Sequence, residues 1–208
     1  LVRNLGIAAG GTVMEDCRVL EACREGKYTS VLVQTHDKKY VEYRTEHFVN
    51  ALGSGAGKLC DSMGIDAGLY PVRHQAFITR RLPMLGKHGT NLDMLIDRQA
   101  YKGFSAVYGQ QIAYTGQIIG CASPKLDAMR IDKNLKVNTK AFLEIVSEMF
   151  SEWIPDLAGV GIQAVWAGYY TEPRYIVDPE LGLFVGMRGH GFMLSQYIAR
   201  MYVDKLLG

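Results

Sequence analysis

Short apolar runs broken by polar turns dominate the chain and predict β-strands over much of its length. The first three runs are separated by short polar turns, a spacing typical of a β-meander. Further runs, punctuated by glycine and other turn residues, follow in the middle of the chain and near its end. The predicted strands cover residues 19–22, 28–35, 40–43, 47–53, 72–79, 94–97, 104–108, 112–119, 163–168 and 183–185.

Helical periodicity is clearest over residues 139–153, where large apolar residues share one helix face and charged residues share the other. Further helices are predicted over residues 55–63 and from about residue 192 to the end of the chain. Residues 1–9 are expected to be the end of a helix. The amphipathic helix places Phe142, Val146, Met149, Phe150 and Trp153 on its apolar face, and Lys140, Glu144, Glu148 and Glu152 on its charged face.

The composition is that of an ordinary globular protein, with 48% hydrophobic and 21% charged residues among 208. A net charge of +2 gives no broad attraction to nucleic acid or to an anionic membrane. No apolar run approaches the length of a membrane-spanning helix. The four cysteines form no CxxC pair, so we expect reduced thiols and a cytoplasmic protein.

The glycine-rich stretch Gly53–Lys58 invites comparison with a phosphate-binding loop. The pattern GxxxxGK[ST] would need glycine at position 52 and a hydroxyl residue at position 59, but the chain has Leu52 and Leu59. A nucleoside triphosphate site is therefore not predicted here.

Five segments in a fixed order form a more specific pattern. Val49–Gly53 ends a predicted strand in small residues, and Leu69–Gln75 reads Leu-Tyr-Pro-Val-Arg-His-Gln. Asp97–Tyr101 is an aspartate, a short turn and a tyrosine, and Trp166–Arg174 begins Trp-Ala-Gly. Gly186–Gly191 holds three glycines in six positions between a predicted strand and a predicted helix. Together these segments resemble the D-amino-acid oxidase superfamily of flavin-dependent oxidoreductases, which includes glycine and sarcosine oxidases.

This resemblance implies an FAD cofactor and an α/β (α+β) fold. Part of an FAD/NAD(P)-binding Rossmann-like domain would be formed by residues 1–60 and 164–208, and an antiparallel-sheet substrate-binding domain by residues 61–163. Glycines and small residues at the ends of strands would let the backbone approach the flavin closely. The implied cofactor-binding residues are Ala51, Gly53, Gly189, His190, Gly191, Phe192 and Met193.

The implied reaction is oxidation of a small amine or amino acid by hydride transfer to flavin N5, with Tyr101, Tyr170 and Arg174 as substrate-binding residues. The superfamily pattern carries an arginine that holds the substrate carboxylate, but here Tyr170 occupies that slot and Arg174 follows four residues later. Either Arg174 binds the anion or the substrate differs. Tyr101 either contacts the substrate or packs with its hydroxyl at the surface. His74 stands where glycine is frequent and is expected to be structural; no catalytic residue or metal site is assigned.

Two alternatives stay open at this point. One is a flavoenzyme that acts on a hydroxy acid or a glycerol-3-phosphate-like alcohol, and the other is a non-catalytic subunit that resembles the substrate domain and never binds flavin. The GxGxxG motif that holds the adenine half of FAD does not occur in this sequence. Because the chain also opens on Leu1, we expect it to be the C-terminal part of a longer enzyme and inactive alone. The sequence leaves the oligomeric state open.

Overall fold

The structure is a computed structural model in which the chain divides into two compact units. The predicted mixture of helices and antiparallel strands is confirmed. One unit consists of Leu1–Leu69 and Pro173–Gly208, and the other of Tyr70–Glu172. The residues that the structure describes are 2–86, 91–98, 104–124 and 139–208.

The first unit combines an antiparallel meander, a two-stranded hairpin and helices. Its strands pair in the order β1-β2-β3 and, separately, β9 with β10. In chain order its elements are α1 (Val2–Ala8), β1 (Arg18–Glu25), β2 (Tyr28–Gln34), β3 (Tyr40–Thr45), α2 (Ala56–Ser62), β9 (Ile176–Asp178), β10 (Leu183–Val185) and α4 (Gly191–Leu207).

The meander packs against α2 because its middle strand is apolar on one side. Val31 and Val33 of β2 are buried with Leu59 of α2. The Oγ of Ser62, at the end of α2, accepts a hydrogen bond from the backbone N–H of Ala22 at 3.1 Å. This bond ties the helix to β1, so the meander and the helix form one layered structure.

The predicted strand over residues 47–53 is wrong. Among these residues only Asn50 forms a β-bridge, a parallel one with Leu183, and Val49 and Leu52 are exposed at 45% and 43%. The chain turns instead into a short 3₁₀ helix, Gly53–Gly55, immediately before α2. The apolar residues of this segment follow a pattern that is typical of a strand. The hydrogen bonds of Asn50 stabilise a turn here instead.

The second unit is a five-stranded antiparallel sheet covered on one face by a helix. Its strand order is β5-β6-β7-β4-β8. The elements are β4 (Tyr70–Thr79), β5 (Leu95–Asp97), β6 (Phe104–Gln111), β7 (Ile118–Pro124), α3 (Thr139–Trp153) and β8 (Ile162–Glu172).

Two boundaries in this unit differ from the sequence-based expectation. The strand predicted to start at residue 112 starts at Ile118, because the N–H of Ile112 bonds to the carbonyl of Gln117 at 2.7 Å and closes a turn. The expected domain boundary at residue 163 also falls inside β8. That strand pairs with β4 from Ile162 to Glu172, so the compact unit ends at Glu172.

The core of the second unit is a cluster of aromatic rings between the sheet and α3. Phe77 of β4 and Phe142 of α3 are fully buried, with ring centroids 6.1 Å apart. Phe150 meets Phe77 edge-on at 5.4 Å. The predicted apolar face of α3 is therefore the face that packs on the sheet.

Three further observations concern the part of the chain that the structure describes. Within the described residues, no helix has both the length and the apolar character needed to cross a membrane. All four cysteines are free thiols, and Cys60 and Cys121 are buried. The described part of the chain contains no cluster of three or more His, Cys, Asp or Glu side chains that could hold a metal ion.

Phe142→Ala is expected to lower the free energy of unfolding by about 3–5 kcal/mol, because it removes a fully buried ring from this cluster. Lys140→Ala, on the exposed side of the same helix, should change it by less than about 0.5 kcal/mol. Urea denaturation followed by circular dichroism measures both. Equal effects of the two substitutions would contradict the assignment of the apolar face.

Candidate functional site

Asn50 joins the turn before α2 to strand β10 within the first unit. Its backbone N–H donates to the carbonyl of Gly182 at 2.7 Å, and its carbonyl accepts from the N–H of Phe184 at 3.0 Å. Its side-chain amide donates to the carbonyl of Ala56 at 3.1 Å, and its Oδ1 accepts from the N–H of Leu52 at 3.2 Å. Because Asn50 is buried, these bonds hold residues 50–56 and β10 together.

Beside this joint the backbone of Gly53 is open. Gly53 has φ +55°, and no atom lies within 4 Å of the position that a Cβ would occupy. Ala51 and Gly53 are both exposed. A left-handed glycine with free space beside it allows a ligand to lie directly against the main chain.

The segment between β10 and α4 turns sharply through left-handed residues. Gly186 has φ +76°, and a Cβ there would overlap the carbonyl oxygen of Arg174. Arg188 also has a positive φ, 51°, an uncommon conformation for a residue with a side chain. The close approach of the two backbone segments is therefore possible only with glycine at position 186.

Helix α4 starts at Gly191 with an exposed apolar first turn. His190 stands at the N-cap, and its side chain makes no capping hydrogen bond. Its carbonyl accepts from the N–H groups of Met193 and Leu194, so the N–H groups of Gly191 and Phe192 are left to other partners. Phe192 and Met193 are exposed at 99% and 68%. The first turn thus presents backbone donors and apolar side chains on one accessible surface, together with the exposed Gly189.

Arg174, one of the predicted substrate ligands, belongs to the first unit. Its side chain is exposed, and it lines a concave surface together with Asp66, Tyr175 and Asp178. The two carboxylates give this surface a negative character near the guanidinium. The assignment of Arg174 to a substrate carboxylate stays a prediction.

In the second unit, the sheet face opposite α3 carries a row of directly paired residues, one from each strand. Residues paired across antiparallel strands project on the same side. The small side chains of Ala76 and Cys121 lie in the middle of this row, and Tyr108 and Trp166 stand on either side of them. The row runs Ile96, Tyr108, Cys121, Ala76 and Trp166.

A pocket of about 230 Å³ opens over this row. Four members of the row line it, and Met94, Gln110 and Ile119 complete the wall. None of these described lining residues is charged. The pocket is therefore apolar with a few convergent polar groups, which is the usual character of small-molecule sites.

The polar groups on this face form a connected set. Tyr108 shares side-chain hydrogen bonds with Cys121 and Tyr170, and the ring of Tyr170 stacks on His74 with centroids 3.9 Å apart. Burial raises the pKa of Tyr108, of Tyr170 and of Cys121 above the ordinary values for a phenol and a thiol. At neutral pH these three side chains are uncharged hydrogen-bonding groups.

The structure thus separates the predicted site residues into two sets. Within the first unit, the segments carrying Ala51 and Gly53 and the turn before α4 both adjoin β10, the first through Asn50 and the second through the chain itself. In the second unit, Tyr170 lies on the pocket-bearing face. Tyr101 lies outside the described residues.

Sequence reasoning missed Tyr108, Cys121 and Trp166 as a group. Each reads locally as an ordinary strand residue, and only the register of β6, β7, β4 and β8 brings them into one row. Only a correct prediction of how these four strands pair would have grouped them.

Comparison with known proteins identifies the family of the chain. The family model described as FAD dependent oxidoreductase matches residues 1–205, so the chain belongs to this family. FAD, the predicted cofactor, is the cofactor of the family. The resemblance to the D-amino-acid oxidase superfamily is thereby confirmed. A comparison with curated proteins found no match.

Solved structures share the fold. Glycine oxidase from Geobacillus kaustophilus has 19% identity and a TM-score of 0.69, with 95% of this chain and 50% of that chain covered. L-proline dehydrogenase from P. horikoshii has 25% identity and a TM-score of 0.68, with 95% and 51% covered. Glycerol-3-phosphate dehydrogenase from Bacillus halodurans, complexed with FAD, has 14% identity and a TM-score of 0.70, with 96% and 40% covered. The chain spans about half the length of the first two.

The residues present fit a flavin at the edge of the first unit. The open left-handed backbone at Gly53 leaves a cradle that a side chain at this position would enter. The exposed first turn of α4 adds backbone donors at a helix N-terminus, where partial positive charge favours electron-rich groups.

Gly186→Ala is expected to lower the free energy of unfolding by at least about 1–2 kcal/mol, from left-handed strain and from overlap with the Arg174 carbonyl. Gly6→Ala is the matched control, since Gly6 lies in α1 with no atom near its Cβ position. It should leave stability unchanged or raise it by up to about 1 kcal/mol. Urea midpoints measure both, and a neutral Gly186→Ala would contradict the close approach.

The raised pKa values predict a loss of stability at alkaline pH. The unfolded chain releases the phenol protons near the ordinary pKa of 10.0, while the folded chain retains them, so stability falls as pH rises above that value. Tyr108→Phe should make this decline shallower. Unfolding free energies between about pH 8 and pH 11 test it, with the exposed Tyr40→Phe as control. A decline as steep as that of the wild type would refute the role of Tyr108.

Proposed function

We propose that the chain forms part of an FAD-dependent oxidoreductase that oxidises a small amine or amino acid. The observation that carries this proposal is the joint at Asn50, which fixes the Val49–Gly53 segment beside β10 and the glycine turn that follows it. Two segments that the superfamily pattern associates with flavin, far apart in sequence, therefore adjoin the same strand of one unit.

The chain's own residues would hold and orient the cofactor mainly through backbone groups. Ala51 and Gly53 offer an open main chain, and the start of α4 offers the N–H groups of Gly191 and Phe192 with the apolar side chains of Phe192 and Met193. When bound, FAD supplies an acceptor for a hydride from the carbon that bears the substrate nitrogen, and water then hydrolyses the resulting imine. The backbone N–H groups would stabilise a negative charge on the bound cofactor by hydrogen bonding, and no proton would have to be transferred.

The substrate would be positioned by the second unit. Tyr170 and Tyr108 present neutral hydroxyls, and the pocket above Cys121 and Ala76 offers a mainly apolar surface. An amine that arrives in its neutral form needs no strong protein base. The role of the protein is then to orient the reacting C–H bond and to keep water away.

A second candidate, oxidation of a hydroxy acid or a glycerol-3-phosphate-like alcohol, is favoured by one observation. The slot of the carboxylate-binding arginine holds Tyr170, whose hydroxyl lies in a hydrogen-bonded set with Tyr108. One fold neighbour is a glycerol-3-phosphate dehydrogenase. Amines and alcohols compared as reductants of the bound flavin separate the two candidates.

The natural full-length protein is expected to be yellow with bound FAD, whereas residues 1–208 alone should not retain it. In the full-length protein Gly53→Val should weaken FAD binding by about tenfold or more, because a β-branched residue resists the left-handed conformation. His190→Ala should keep the cofactor, since its side chain makes no capping bond. Flavin absorbance after gel filtration measures retention.

If the full-length protein is colourless and stays colourless after FAD is added, the proposal that it is a flavoenzyme is contradicted. A non-catalytic subunit would then be favoured. Equal FAD retention by Gly53→Val and the wild type would instead reject the assignment of Gly53 while leaving the enzyme proposal standing.

A further inference from the structure

Helix α4 has apolar side chains on two of its sides, and only one side is covered. Tyr202 is the one buried residue within Gly191–Leu207, and the half-buried Ile198 lies one turn before it on the same side. A second group recurs at spacings of three and four residues and is exposed. It consists of Leu194, Tyr197 and Met201. A helix that is apolar beyond a single stripe is normally buried by a further element, so α4 lacks a packing partner among the described residues.

Helix α1 is uncovered as well. None of the residues Val2–Ala8 is buried, and the exposed side chains include Val2, Leu5 and Ile7. A helix of seven residues is not stable in water on its own and depends on packing against other elements. The described residues do not supply that packing, so α1 also requires a partner outside them.

The third observation is the parallel bridge between Asn50 and Leu183. The Asn50 N–H bonds to the Gly182 carbonyl, and the Phe184 N–H bonds to the Asn50 carbonyl, which is the ladder of two parallel strands. Parallel strands belong to sheets that are covered by helices on both faces. Among the described residues, however, no strand pairs with the other edge of residues 47–50. This segment therefore marks the edge of an incomplete parallel sheet.

The open edge and the exposed helices fit a partner that is part of the same polypeptide. The chain spans about half the length of solved structures that share its fold, so proteins of this fold have about as much polypeptide again. A strand from that polypeptide would continue the ladder that Asn50 begins. It would also account for the apolar pattern of residues 47–50, which predicts a strand although a single neighbour leaves only an isolated bridge.

We propose that, in the full-length protein, a strand from outside residues 1–208 pairs in parallel with residues 47–50. Apolar side chains of the same added segment cover α1 and the second side of α4, which carries Tyr197. The surface is thus an interface within one polypeptide rather than a contact between copies. This inference involves neither FAD nor a substrate, so it is tested independently of the proposed function.

The first test places the photo-crosslinking residue p-benzoylphenylalanine in the full-length protein, in place of Tyr197 or, as a control, of Tyr40 in β3. The two tyrosines are matched, with exposed fractions of 69% and 66%. Irradiation joins the probe to the group that it touches, and mass spectrometry of the peptides identifies that group. We expect position 197 to cross-link within one molecule to a peptide outside residues 1–208, and position 40 to give no such product.

A charge at the same position tests its burial through stability. Tyr197→Glu should raise the unfolding equilibrium constant of the full-length protein at least about a hundredfold, because the carboxylate would be buried without a partner. Tyr197→Phe keeps the ring, and Tyr40→Glu lies on an exposed strand, so each should change this constant by less than about threefold. Urea denaturation followed by circular dichroism measures all three variants.

A cross-linked product of twice the monomer mass would show a second copy against α4 and would overturn the proposal. Cross-links confined to residues 1–208, or no product at position 197, would overturn it as well. The same holds if Tyr197→Glu is as mild as Tyr40→Glu. None of these outcomes concerns FAD binding, so each would leave the proposed function standing.

Discussion

The hydrogen bonding of one buried amide, Asn50, is the constraint on which the candidate flavin edge depends. Its backbone bonds to Gly182 and Phe184, the residues before and after Leu183 of β10, and its side chain closes the turn into α2. A buried polar group is tolerated only when its partners are supplied, so its loss would leave several donors and acceptors unsatisfied at once.

The two units contribute different kinds of chemistry. In the first unit the candidate groups are main-chain atoms exposed by glycine, as at Gly53, or brought close by it, as at Gly186. In the second unit they are side chains on a sheet face, with Tyr108 and Trp166 on either side of small residues.

Sequence periodicity was sufficient where local pattern and packing agree, as in α3 over Thr139–Trp153 and in β10. It failed over residues 47–53, because a pattern of apolar residues does not reveal that the side chain of Asn50 accepts a hydrogen bond from the N–H of Leu52 and so stabilises a turn. It could not reveal the Tyr108–Cys121–Trp166 row either, because register between distant strands is a tertiary property. Glycine motifs pointed to the family, whereas the residues of the candidate pocket could be grouped only from the pairing of the strands.

Hydrogen–deuterium exchange of the full-length protein with and without FAD tests the central claim most directly. Because Asn50 ties residues 50–56 to β10 and residues 186–194 follow β10 along the chain, FAD should slow exchange at residues 49–55 and at residues 186–194 together. Strand β3 should exchange at the same rate in both states. Bound FAD that protects only one of these segments, or neither, would contradict a cofactor edge organised around Asn50.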